Sequence, residues 1–138
     1  MSENLPVVSF VVPCFNQGKF LNESISSIML SYIGPKEIIV IDDCSTDYTS
    51  IKKLNEIETK FPFVKIIRQT KNLGLSATRN LGINLSSGDY IQFLDADDLL
   101  FLNKVNYQVQ QFQLGNGIDI SISNFLVYDA TLSEYYSI

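Results

Sequence analysis

The chain has 138 residues, 46% of them hydrophobic and 18% charged, which describes one globular domain with room for a core and excludes a disordered segment. Its net charge of −5, with ten scattered basic residues, argues against a nucleic-acid backbone as partner. There is no histidine, so Ser-His-Asp and Cys-His catalysis are excluded, and any metal must be a hard ion held by oxygen, Mg2+, Mn2+ or Ca2+.

Elements follow one another as strand and helix. VVSFVV (7–12) is a continuous apolar run, the pattern of a strand buried on both faces, and Pro13 is expected to end it. A helix is predicted over 19–32, with Leu21, Ile25, Ile28, Met29 and Tyr32 on one face. KEIIVID (36–42) is a second buried strand. Ile51, Leu54, Ile57 and Phe61 then mark a helix capped by Ser45 or Thr46. FVKIIRQ (63–69) is the third strand, GLSATRNLGINL a short helix closed by SSG, and DYIQFLD (89–95) the fourth strand. Leu102, Val105, Val109 and Phe112 mark a last helix. IDISISNF (118–125) alternates apolar and polar residues, as a half-exposed or edge strand does. The expectation is an α/β fold with a mostly parallel central sheet, as a single domain over residues 1–138. Cys14 and Cys44 each follow a strand and are read as reduced thiols. No apolar run approaches the ~20 residues that span a bilayer, and no signal peptide is visible, so the expected location is cytoplasmic.

Ligands of such sheets bind beyond the carboxyl ends of the strands. Each of those ends carries chemistry here: PCFNQG, DDCSTD, RQTKNLG and DADD, all opening on one rim. Asp95, Asp97 and Asp98 could hold one hard cation, with water and a ligand's oxygens completing its shell; the plainer alternative is a solvated turn with a helix cap. An EF-hand is disfavoured, because DADDLLFLNKVN has no glycine in mid-loop and ends in Asn rather than Glu. Asp43 is read as a ligand contact, and Asp47 as part of the start of a helix. Phe15 could lie against a flat base or simply close a turn. Arg79 suits phosphate or a base edge, though a lone Arg is as easily a surface residue, as are Lys71 and Asn72. Together these groups describe a nucleoside-diphosphate site.

Four segments in order, VSFVVPCFNQGKFLNESISSIMLSY, EIIVIDDCSTDYTS, KNLGLSATRNLGINLSSG and DYIQFLDADDLL, resemble family 2 glycosyltransferases of the GT-A fold, a Rossmann-like α/β/α sandwich. The likeness runs from about residue 8 to residue 100. It implies metal-dependent, inverting transfer of a sugar from a nucleoside-diphosphate sugar to an acceptor hydroxyl. Pro13 and Phe15 would line the base pocket, Asp43 would read the base, and Arg79 would lie near the nucleotide. Asp95 and Asp97 form the Asp-x-Asp motif: Asp97 on Mn2+ or Mg2+, Asp95 near the ribose and the metal's waters, with Asp98 a further metal candidate.

A UDP-sugar is the expected donor. The resemblance implies a saccharide or lipid-linked saccharide as acceptor, in bacterial polysaccharide or glycoconjugate synthesis, which would put the enzyme at the inner face of the membrane as a peripheral protein. No nucleic acid is expected. The family's catalytic base lies well beyond the Asp-x-Asp motif. Asp119, Asp129 and Glu134 are available but match no motif, so the base is expected beyond Ile138, in a longer protein of which this chain is the donor-binding part. Exposed apolar surface would then favour self-association. Three rival readings compete with this one. A receiver-like signalling domain would want its acid pair after the first strand. A sugar nucleotidyltransferase would want a glycine-rich basic loop there. A degenerate transferase would bind nucleotide without catalysis.

Overall fold

The computed structural model describes residues 5–115, 117–129 and 134–137. In chain order these form β1 (Val8–Cys14), a 3-10 turn (Gly18–Phe20), α1 (Leu21–Ser31), β2 (Lys36–Asp42), α2 (Tyr48–Lys60) and β3 (Val64–Arg68). There follow α3 (Leu75–Leu85), β4 (Tyr90–Phe93), α4 (Lys104–Gln113), β5 (Leu126–Asp129) and β6 (Glu134–Ser137). The first four strands make one parallel sheet in the order β3-β2-β1-β4, and β5 and β6 make a separate antiparallel pair.

The sheet is covered on both faces, which is why its strands are apolar runs rather than alternating ones. Side chains of successive residues still point to opposite faces. Phe10, Val12, Ile38 and Val40 pack with Leu21, Ile25 and Ile28 of α1, Leu54 and Ile57 of α2, and Val105 and Val109 of α4. Val11, Ile39 and Ile41 pack on the other face with Leu81 and Leu85 of α3 and with Phe93. The expected α/β sandwich is therefore present, built on a four-stranded sheet.

Several boundaries differ from the sequence pattern, each for a physical reason. β1 continues through Pro13 to Cys14. The carbonyl of Val11 accepts from Leu94 N on the β4 side, and that of Cys14 accepts from Asp43 N on the β2 side. Pro13, two residues on from Val11, therefore turns its missing N–H toward β4, whose ladder has already ended at Val11–Phe93. β4 is correspondingly shorter than predicted, and the chain leaves the sheet before Asp95. Asp47 caps α2, its Oδ1 accepting from Ser50 N at 2.8 Å. Ser45 is unavailable for that role because its hydroxyl accepts from Asn16 N. Met29 and Ile51 lie at the flanks of their apolar stripes and are exposed, and Leu102 precedes α4 and is exposed as well.

Residues 118–125 are not a strand; among the described residues no strand pairs with them, and Ile120 and Ile122 are 79% and 90% exposed. Strand structure begins only at Leu126. Alternation alone does not make a strand where no neighbour supplies the ladder. Among the described residues no helix is long and apolar enough to cross a membrane.

α3 approaches the sheet closely at Gly82, where an added Cβ would overlap Val11 Cγ1. Alanine normally stabilises a helix interior by about 1 kcal/mol relative to glycine. Here Gly82→Ala is expected to destabilise by about 1–3 kcal/mol through overpacking, read as a lower midpoint in urea unfolding; a stabilised variant would refute the close fit.

Candidate functional site

Four parallel strands bring four loops to one edge of the sheet. The amino-end edge is closed by polar links: Ser9 Oγ donates to Glu37 Oε2 at 2.6 Å, and Ser87 N donates to the same oxygen at 2.9 Å. The carboxyl-end edge is different, because there the loops carry acids.

The first two loops are clasped together. Asn16, at φ 55°, accepts on its side-chain oxygen from Thr46 N and Asp47 N, at 2.8 and 3.2 Å. This leaves Phe15 at the rim, 44% exposed, while Pro13 stays buried within β1 beside Ile41. Cys14 is buried and free, and burial first, then the charges of Asp42 and Asp47, push its thiol up to about 11. Such a thiol is a packing group rather than a nucleophile. Cys44 is free as well.

Asp43 follows β2 and is only 4% exposed. Its Oδ1 accepts from Gln69 Nε2 at 2.7 Å and from Leu73 N at 2.8 Å, and its Oδ2 accepts from Gly74 N at 2.8 Å. A buried carboxylate needs such donors. They come from the loop after β3, so Asp43 pins that loop and the start of α3. Gly74, at φ 86°, is the residue before the helix, a backbone conformation that side chains disfavour. Gln69 Nε2 also donates to Thr78 Oγ1 at 2.9 Å, tying the first turn of α3 to the same network. Lys71 and Asn72 are exposed, as their surface reading expects.

One turn into α3, Arg79 reaches across to the fourth loop. Its Nη2 donates to Asp95 Oδ1 at 2.6 Å, and its guanidinium lies 5.9 Å from the Phe93 ring centre. Residues 95–98 form a turn closed by Asp98 N on Asp95 O at 3.0 Å. Asp97 and Asp98 are exposed, and Asp95 is half-buried. No acid of this turn caps α4: Asn103 stands before that helix, in the left-handed region at φ 60°. The helix-cap alternative for the acids is thereby removed.

The structure thus brings Arg79 and Asp95 into contact and sets Asp97 and Asp98 beside them. Asp43 is joined to this group indirectly, through α3. Asp119 is exposed in the segment before β5, and the side chains of Asp129 and Glu134, like Ile138, lie outside the described residues. Sequence reasoning missed Gln69, Thr78, Ser24 and Ser27. Ser24 and Thr78 had one signal: each is a hydroxyl on the buried side of an amphipathic helix.

Among the described residues no three acidic or cysteine side chains form a ready metal cage. The donor set still suits a hard cation, with carboxylates supplying part of its shell and water and ligand oxygens the rest. The Asp98 carboxyl is held above the usual carboxylate range by desolvation first, then by repulsion from Asp97 and Asp95. That repulsion is what a bound cation would relieve.

The family model described as Glycosyl transferase family 2 matches residues 9–137. An uncharacterized glycosyltransferase of Haemophilus influenzae is 36% identical over 126 residues, which is 91% of this chain and 50% of that protein. The Escherichia coli protein named UDP-Glc:alpha-D-GlcNAc-diphosphoundecaprenol beta-1,3-glucosyltransferase WfgD is 30% identical over 119 residues, 86% of this chain and 46% of that one. Among solved structures, the mannosyltransferase PcManGT from Pyrobaculum calidifontis, in complex with GDP-Man and Mn2+, superposes with a TM-score of 0.63 at 23% identity. It covers 73% of this chain and 30% of that one, and the likeness is one of fold, the GT-A type. This chain spans half or less of the length of each of these proteins.

Replacing Asp43 by Asn keeps its shape but turns one acceptor into a donor facing N–H groups. Asp43→Asn is expected to cost roughly 2–4 kcal/mol in urea unfolding, and a neutral result would show that the loop does not depend on the charge. Asp98 has the opposite sign. Its raised folded-state pKa means that ionised Asp98 opposes folding, so stability rises as pH falls through that pKa toward the ordinary value of about 3.9. Asp98→Asn is expected to melt higher than wild type at pH 7 in metal-free buffer. The gap should close as pH falls through that window, and a variant that melts lower at pH 7 would contradict the crowding.

Proposed function

The chain belongs to glycosyl transferase family 2, and from that premise we propose that it forms the donor side of an enzyme moving a sugar from a nucleoside-diphosphate sugar to an acceptor hydroxyl. The observation that carries this is the acid turn at the carboxyl edge of the sheet, with Arg79 on Asp95 and two carboxylates left open.

In this reading Asp97, with Asp98 and Asp95, would hold Mn2+ or Mg2+, which when bound supplies Lewis acidity that neutralises charge on the departing diphosphate. Arg79 orients Asp95 and presents the remainder of its guanidinium toward the nucleotide. Phe15 offers a flat apolar face to the base, with Pro13 behind it in the sheet. Asp43 acts on the base through the loop it pins and through the acceptor position left on Oδ2. The acceptor oxygen attacks the anomeric carbon from the side opposite the diphosphate, inverting that centre, and a carboxylate takes its proton. Within this chain no residue is assigned that task. Since the relatives are about twice as long, the base is proposed to lie in sequence outside it.

A uridine nucleotide is the proposed donor, supported by the UDP-Glc in the name of the Escherichia coli relative; the GDP-Man and Mn2+ of the Pyrobaculum calidifontis neighbour support a nucleotide sugar and a divalent metal. That relative's diphosphoundecaprenol acceptor supports a lipid-linked saccharide as acceptor, and with it a cytoplasmic enzyme seated peripherally at the membrane, in glycoconjugate synthesis. For this chain in isolation, exposed Ile120, Ile122 and Phe125 support self-association.

Calorimetric titration of UDP and of GDP, with and without Mn2+, tests the donor site. Metal-dependent binding of UDP is expected, weakened tenfold or more in Asp97→Ala, which corresponds to about 1.4 kcal/mol. A folded wild-type chain that binds neither nucleotide would overturn the proposal, and preference for GDP would overturn only its uridine part.

A further inference from the structure

α1 carries four serines, and three of them do what helical serines ordinarily do. Ser26 donates to Asn22 O at 2.7 Å, Ser27 to Ser24 O at 2.7 Å, and Ser31 to Ile28 O at 2.9 Å, all within the helix. Ser24 does not. Fully buried, its hydroxyl donates instead to Ala96 O at 2.6 Å and Asp98 O at 2.8 Å, across more than seventy residues of sequence. One turn further along, Ser27 Oγ accepts from Leu100 N at 3.1 Å. The backbone from Ala96 to Leu100 is therefore tied to α1 at three points, and only one backbone bond closes the acid turn itself. Among the described residues, Asp97 and Asp98 take part in no ion pair. Where their carboxylates stand is decided by the backbone beneath them.

We infer that Ser24 is a positioning residue for the acid turn: its buried hydroxyl fixes the backbone carrying Asp97 and Asp98, and through it the affinity for the divalent cation. This rests on the donor-site reading above. A single proton holding two carbonyls is a demanding arrangement. Without it, the buried carbonyl of Ala96 and the part-buried carbonyl of Asp98 lose their donor, and the turn keeps one of its three ties to α1. Supporting residues of this kind commonly change metal affinity by tens of fold without touching the ion.

The test compares Ser24→Ala, Ser24→Thr and Ser26→Ala with wild type. Mn2+ affinity is measured by titration in the presence of UDP, well below each melting temperature, and amide exchange of Asp98 and Leu100 is followed by NMR. Ser24→Ala is expected to bind Mn2+ about tenfold more weakly and to exchange both amides faster, with the amides of α2 unchanged. Ser24→Thr, which keeps the hydroxyl, is expected to recover most of the affinity, and Ser26→Ala to match wild type. A folded Ser24→Ala with wild-type Mn2+ affinity overturns the inference, even if its melting temperature drops. If that variant does not fold, Ser27→Ala decides: affinity lowered about threefold supports the inference, and no change overturns it. A wild-type chain that binds no Mn2+ with UDP brings down the donor-site reading itself, and the inference with it, which separates the two failures.

Discussion

A carboxylate that is 4% exposed must find its donors inside the molecule, and Asp43 finds them in a loop thirty residues further on. Much of the rim depends on that one demand. The N–H groups of Leu73 and Gly74 turn inward to meet the charge, and the chain leaves Gly74 directly into α3. The first turn of α3 is held by Thr78, itself hydrogen-bonded to Gln69. The next residue is Arg79, and it reaches Asp95. A buried charge after β2 thus sets the direction of the guanidinium that meets the loop after β4. Gly82 completes the arrangement by letting the same helix lie close on Val11 of β1.

The acids of the rim are handled in three different ways, and the difference carries the functional argument. Asp43 is surrounded by N–H donors and Asp95 is paired with a guanidinium. Asp97 and Asp98 are left unpaired among the described residues, and desolvation first, then repulsion from Asp97 and Asp95, makes Asp98 hold its proton more tightly than usual. A fold selected only for stability would have no reason to leave two adjacent carboxylates uncompensated beside a third. Compensation from outside, by a cation that arrives with a charged ligand, makes the arrangement consistent. The metal and the nucleotide are for this reason one proposal rather than two.

Much of this was legible in the sequence because parallel strands buried on both faces leave a strong mark. VVSFVV and KEIIVID could hardly be anything else, and the acids placed after them had to share an edge. Composition also removed histidine chemistry at once. What the pattern could not show was which polar group meets which. Ser45, Thr46 and Asp47 are all good caps, and the choice fell to Asp47 because Asn16, 29 residues before Ser45 in the chain, had claimed Ser45 through its backbone N–H. The alternation of 118–125 read as a strand because period two is a statement about faces, not about neighbours, and among the described residues no strand lies beside it. Gln69 was invisible for the same reason: a hydrogen bond across the fold leaves no periodic trace, and at Ser24 the helical period showed burial but not the partner.

The position of the exposed apolar surface completes the picture. The core of the sandwich closes among β1 to β4 and the four helices, and the donor-side groups, from Phe15 to Asp98, all lie within that stretch. Just beyond the acid turn the character of the chain changes: Leu99, Phe101 and Leu102 are each about 60% exposed or more, and Ile120, Ile122 and Phe125 continue the trend. Exposed apolar residues gathered in one stretch of chain support the proposed contact with other protein. The chain also spans half or less of the length of the relatives it matches. Both facts fit a division of labour in which residues up to Asp98 hold the donor and the surface beginning at Leu99 faces whatever presents the acceptor. The acid turn stands at the junction. Its backbone is anchored to α1, so in the proposed reading the carboxylates of Asp97 and Asp98 keep their place whatever packs beyond Leu99.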